Sequence, residues 1–162
     1  MSLPNATLEV LAQLSSVISH CSSIYTVGSV GSPIGKHVRH ILDHFDALIE
    51  GLDSGFIDYN KRTRNSRCEI DTAVAFDRLS IIRNTLARLG DLEIPVAVVT
   101  EVSIHQKLSK TINSNFEREL AYVESHTIHH LAYIKLIAKY LNVEIDASVG
   151  IAPATATYLR SK

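Results

Sequence analysis

The amino-acid sequence predicts an all-α fold, a bundle of four main helices in one domain spanning residues 1–162. Three observations predict it. Apolar residues recur at spacings of three and four through most of the chain. Helix start and stop residues punctuate those stretches. A length of 162 residues with 46% hydrophobic and 20% charged residues is that of a single ordinary globular domain.

The elements follow in order. Residues 6–20 place Leu8, Leu11, Leu14, Val17 and Ile18 on one helical face. Residues 24–32 hold Gly28, Gly31 and three Ser or Thr, and read as a loop. Ser32 and Pro33 then open a second helix, Ser32 as its cap and Pro33 at a position that needs no amide donor. Val38, Ile41, Leu42, Phe45, Leu48, Ile49 and Leu52 form its apolar face, and Gly51 and Gly55 bracket its end. The polar segment 57–69 carries a basic run of Lys61, Arg62, Arg64 and Arg67. A third helix runs from about 70 to 89 on Ile70, Val74, Leu79, Ile82, Leu86 and Leu89, with Gly90 past its end. Residues 94–112 break the pattern, being β-branched and short in period, and predict a small β-hairpin insertion. Ser114 and Glu117 read as a capping box for a fourth helix running to about Asn142. Pro153 opens a last short helix.

Composition excludes some functions. Sixteen Lys and Arg against seventeen Asp and Glu leave a formal charge of −1, which argues against a nucleic-acid binder. No run approaches the roughly 18 apolar residues of a membrane span. The N-terminus lacks a signal-peptide pattern. Cys21 and Cys68 are isolated and read as reduced, buried thiols. The expectation is a cytoplasmic protein with no membrane partner.

The distinctive feature is eight histidines, of which His37, His40, His44, His126, His129 and His130 fall in two short windows. At 100° per residue, His126 and His130 lie 40° apart on one face, a spacing that lets two imidazoles share a metal ion. His37, His40 and His44 lie within 60° of one another on the second helix. Spacing leaves all three open as a third ligand, and the helical wheel puts His37 and His44 nearer the apolar face than His40. Three neutral imidazoles with an open position suit Zn²⁺, Ni²⁺ or Fe²⁺. Glu-x-x-His, His-Glu-x-x-His, phosphate-loop, nucleophile-elbow and dinucleotide motifs are absent from the sequence.

With His40-Ile41-Leu42-Asp43-His44 on the second helix and His126-Thr127-Ile128-His129-His130 on a later one, the chain resembles the DinB/YfiT-like superfamily over nearly its whole length. The resemblance implies a four-helix bundle with a three-histidine site formed by His40, His126 and His130, holding Zn or Ni. It also implies a metal-dependent transfer of a low-molecular-weight thiol to an electrophile, or a hydrolysis, on a small-molecule substrate. His44, Tyr59, Arg62 and Arg64 are then candidate substrate contacts, the arginines because guanidinium pairs with carboxylate or phosphate. Arg67 belongs to the same run, and Asp43 is a candidate partner for the His40 ring. The alternatives are a non-catalytic metal-binding or dimeric bundle and a haem protein. A homodimer is the general expectation for a small bundle.

Overall fold

The computed structural model describes residues 1–28, 31–90 and 92–162, so Ser29 and Val30 of the expected loop lie outside the described residues. Among the described residues there are five α-helices: α1 (Leu3–His20), α2 (Ile34–Ser54), α3 (Thr72–Leu86), α4 (Phe116–Tyr140) and α5 (Pro153–Arg160). Three strands accompany them: β1 (Phe56–Asp58), β2 (Pro95–Glu101) and β3 (Ser109–Asn115). α1 and α2 each pack against both α3 and α4.

The expected all-α class is overturned by the sheet. β2 and β3 form an antiparallel hairpin, Pro95 opposite Asn115 through Glu101 opposite Ser109. β1 then joins the other edge of β2 in parallel, Ile57 beside Val98, giving a mixed three-stranded sheet in the order β1-β2-β3. β2 is central, and its Val96 and Val98 are buried while Ala97 and Val99 are only half-buried, the two-residue period of a strand with one core face. β1 has three residues directly after a helix. Its pairing partner lies 41 positions away, so no local pattern announces it.

Helix ends differ from expectation in chemically readable ways. Pro33 itself is the N-cap of α2, and no side chain caps that end, so Ser32 does not serve. α2 terminates at Gly55 in the left-handed conformation, φ 66°, the usual role of glycine just past a helix. α3 begins two residues later than expected, because Asp71 caps it by accepting from the Ala73 amide. The capping box of α4 does not form. Asn115 accepts the Arg118 amide at 2.8 Å, while Ser114 Oγ donates to Glu119 Oε1 at 2.7 Å.

The core is one apolar cluster in which Leu11, Leu14, Ile18, Ile34, Ile41, Leu42, Phe45, Leu48, Phe116, Leu120, Leu131 and Ile134 are fully buried. Each such side chain contributes about 1.5–3 kcal/mol relative to exposure. A polar knot fastens the segment between β1 and α3 to this core. Asp43 accepts from the Thr63 amide at 3.0 Å, from Arg39 Nη1 at 3.3 Å and from Arg78 Nη2 at 2.9 Å. Arg39 Nε also donates to Glu69 Oε1 at 2.9 Å, and Arg78 to Asp46. Burial disfavours the Asp43 carboxylate, but hydrogen bonds from Thr63 and Arg78 outweigh it and hold its pKa below the ordinary value. Gly35 lies under the Glu69 carbonyl, where any Cβ would overlap the backbone. On the opposite side, Thr7 Oγ1 donates to the buried Glu124 at 2.8 Å and ties α1 to α4.

Asp43→Ala takes one of two carboxylate partners from each of Arg39 and Arg78 and leaves the Thr63 amide unpaired, and should cost about 1.5–3 kcal/mol of unfolding free energy. Arg67→Ala removes only an exposed pair with Asp71 and should leave the urea midpoint unchanged. Equal midpoints for the two variants would contradict the role assigned to the knot.

Candidate metal centre

α2 and α4 run antiparallel, with His37 beside His130 and His40 beside His126. Two helices supply the five imidazoles. On α2, spacings of three and four align His37, His40 and His44. On α4, a spacing of four aligns His126 with His130.

His40, His126 and His130 each present a ring nitrogen within 4.8 Å of the other two. His40 Nε2 and His126 Nε2 are 3.0 Å apart. Two nitrogens bound to one tetrahedral ion at about 2.0–2.1 Å lie roughly 3.3 Å apart, so this pair needs little movement to hold one. The His40 and His130 rings meet edge to face at 4.7 Å, as do those of His126 and His130 at 4.6 Å. Among the described residues this is the group of His, Cys, Asp or Glu side chains disposed to hold a metal.

The surroundings favour the neutral form of these rings. Burial pushes the His40 pKa down to about 2, His130 to about 3 and His126 to about 4, and charge on neighbouring histidines pushes further the same way. Burial likewise lowers His37 and His44. Neutral imidazole is the ligating form. His40 Nδ1 and His37 Nε2 are buried without a hydrogen-bond partner. A half-buried all-nitrogen donor set, with His40 Nδ1 orphaned, fits a divalent transition metal of the zinc or nickel type. No carboxylate joins the three, so the ion would keep its full positive charge.

The other expected site residues divide. His44 donates Nδ1–H to the His40 carbonyl at 2.9 Å, because a carbonyl only accepts, so its Nε2 is a bare lone pair. Its ring stacks on His126 at 4.4 Å and on Tyr59 at 5.2 Å. Tyr59 is buried and donates its hydroxyl to Glu119 at 3.0 Å, which makes it a wall behind His44. Arg62 is exposed and its charge bears on His40, His44 and His126. Arg64 is exposed and forms no hydrogen bond or ion pair among the described residues, and Arg67 pairs with Asp71. Neither comes to the cluster. Asp43 belongs to the polar knot and does not touch the His40 ring.

Sequence reasoning missed Tyr122 and Arg118. Tyr122 stacks on His126 at 5.9 Å, and the Arg118 guanidinium lies over the Tyr122 ring at 5.6 Å. The positions 118, 122, 126 and 130 recur every four residues along α4, which was the available signal. Of these, Arg118 and Tyr122 join Tyr59, Val98, Thr100 and Ser114 in lining a cleft of about 290 Å³ between the sheet and α4.

No family model matches the chain, and no solved structure matches it. A stretch of 108 residues, 65% of the chain, is 31% identical to FK506-binding protein 5 of Rhizopus delemar. That stretch covers 28% of the relative, so most of the relative lies outside the likeness. Among the described residues no helix is long and apolar enough to cross a membrane.

The depressed histidines couple stability to pH. Below about pH 6.5 the unfolded chain takes up protons at these rings, whereas the folded chain does not until about pH 4, 3 and 2. Stability is therefore present above pH 6.5 and falls as pH drops towards 4. The metal-free thermal midpoint should be lower at pH 5 than at pH 7.5, and replacing His40, His126 and His130 together with Gln should shrink that difference. A wild-type midpoint equal at both pH values would contradict the burial of neutral rings.

Proposed function

We propose that the chain is a divalent-metal-dependent enzyme in which His40, His126 and His130 hold Zn or Ni and a low-molecular-weight thiol or water attacks a small electrophile. The convergence of three neutral ring nitrogens from α2 and α4 is the observation that carries this reading. When bound, such an ion supplies Lewis acidity that makes a thiol or water ionise near neutral pH.

The chain's own residues do the rest. His44 offers its Nε2 lone pair to accept a proton from the nucleophile, its tautomer being set by the His40 carbonyl. Tyr59 and Tyr122 form an aromatic wall for the substrate beside the histidines, and Val98 adds apolar surface. Arg118, pinned by Glu119 at 3.0 Å, attracts a carboxylate or phosphate on the substrate, with Arg62 adding to the field. The likeness of the His40–His44 and His126–His130 motifs to the DinB/YfiT-like superfamily supports the thiol-transfer form of the reading. A cytoplasmic setting with ample low-molecular-weight thiol accords with it.

A second reading is a metal-binding module without catalysis. The similarity to a 108-residue stretch within a longer FK506-binding protein favours it, because such a stretch there forms part of a larger chain.

The untagged protein should bind one equivalent of zinc or nickel and gain thermal stability from it. A free-ion concentration 100 times Kd adds about 2.7 kcal/mol. His126→Ala should lose both effects. Unchanged stoichiometry in a His40, His126 and His130 triple alanine variant would remove the site. Metal-loaded protein should then consume a thiol and a carboxylate-bearing electrophile. Arg118→Met should weaken use of the anionic electrophile more than of a neutral analogue, read as kcat/KM for each. Stoichiometric metal with no turnover across glutathione, bacillithiol, mycothiol, cysteine and water would favour the second reading.

A further inference from the structure

Four carboxylates are buried among the described residues: Asp43, Glu69, Glu119 and Glu124. The first three each hold an arginine. Asp43 pairs with Arg39 and Arg78, Glu69 with Arg39, and Glu119 with Arg118. Glu124 is only 9% exposed, yet it pairs with no cation among the described residues. Its partner is the Thr7 hydroxyl at 2.8 Å, whose single hydrogen also lies within reach of the Leu3 carbonyl at 3.0 Å. A buried carboxylate answered by one shared, neutral hydrogen is short of positive charge.

Glu124 is not sealed in the core. It precedes His126 by two residues, which at about 100° per residue turns it to the other side of α4, against α1. There it lines a cavity of about 420 Å³ between α1, α4 and α5. Val10, Ile128 and Ile151 give this cavity apolar walls, and Glu9 adds a second, exposed carboxylate. Met1 and Arg160 share the lining, and neither pairs with an acid among the described residues. The Arg160 guanidinium donates instead to Thr157 Oγ1 at 3.1 Å. A cavity of this volume is large enough for a small molecule, and the uncompensated carboxylate selects its charge.

We propose that this cavity is a binding site for a small organic cation, a primary ammonium carried on a short apolar body. The ammonium donates to the Glu124 carboxylate, Glu9 adds to the negative field, and the apolar body lies against Val10, Ile128 and Ile151. An ammonium has three donors and no acceptor, so it supplies what the Thr7 hydroxyl cannot. The site is independent of the three-histidine cluster, which occupies another face of α4.

The test uses the full, metal-free chain and three probes of similar shape: 2-phenylethylammonium, 2-phenylethanol and 3-phenylpropionate. In ¹H–¹⁵N spectra the ammonium should shift amides of α1, α5 and the Glu124–Ile128 turn, and leave those around Tyr59 and Tyr122 in place. A charge-assisted hydrogen bond is worth about 10–100-fold in affinity, so the alcohol and the carboxylate should bind weaker by at least that factor. Glu124→Gln keeps the shape and an acceptor for Thr7. It should lose the same factor for the ammonium and leave the affinity for the alcohol unchanged. Ala156→Phe fills the cavity from the α5 side and should abolish the shifts, which decides the matter if the thermal midpoint shows that Glu124→Gln fails to fold. No binding of the ammonium by the wild type, or equal affinity for ammonium and alcohol, overturns the proposal. So do shifts confined to the cleft beside Tyr122, or an ammonium affinity unchanged in folded Glu124→Gln or Ala156→Phe.

Discussion

The antiparallel register of α2 on α4 is the contact on which the candidate site depends. It pairs His37 with His130 and His40 with His126. A slip of one helical turn, about 5.4 Å, would set His37 opposite His126 and leave His130 facing nothing of use. Apolar packing holds the register: Val38, Ile41, Leu42 and Phe45 on α2 and Val123, Leu131 and Ile134 on α4 enter the same core at essentially zero exposure. Interiors packed to crystal-like density resist sliding, so rings attached to those helices inherit a fixed geometry.

That geometry is maintained against a local cost. Several imidazoles share a confined space, and two of their ring nitrogens are buried without partners. Each orphaned polar atom costs about 1–3 kcal/mol. The surrounding fold bears this because the apolar core is large and because the polar knot at Asp43 satisfies the other buried charges nearby. The same knot holds the Thr63 segment against α2, and thereby places Arg62 where its charge reaches the histidines. Structure and site are thus joined through a carboxylate that contacts no ligand ring.

The sheet adds the second wall. Tyr59 follows β1, and Ser114 is the next-to-last residue of β3 just before α4 begins, so pairing both strands with β2 brings Tyr59 and the start of α4 together across Glu119. The cleft beside the histidines exists because of this pairing. The hairpin was legible in the β-branched run from Pro95 to Val102. β1 was not, since three residues carry no period. Ser32 and Ser114 looked like helix caps because cap preference is a local tendency, and tertiary contacts chose Pro33 and Asn115 instead.

By itself the sequence determined the long helices, the apolar faces that bury them and the clustering of histidines at helical spacing, because each depends on residues within one or two turns of each other. It also carried the i, i+4 pair His126 and His130. The choice of His40 over His37 and His44 as their third partner rested on resemblance, and the helical wheel leaned the other way. Tertiary structure placed His40 between the α4 pair, put His44 against Tyr59 and set His37 behind His130. It also added β1 to the hairpin. These outcomes turn on the register and approach of chain segments tens of residues apart, and a helical wheel contains no information about where its neighbour stands.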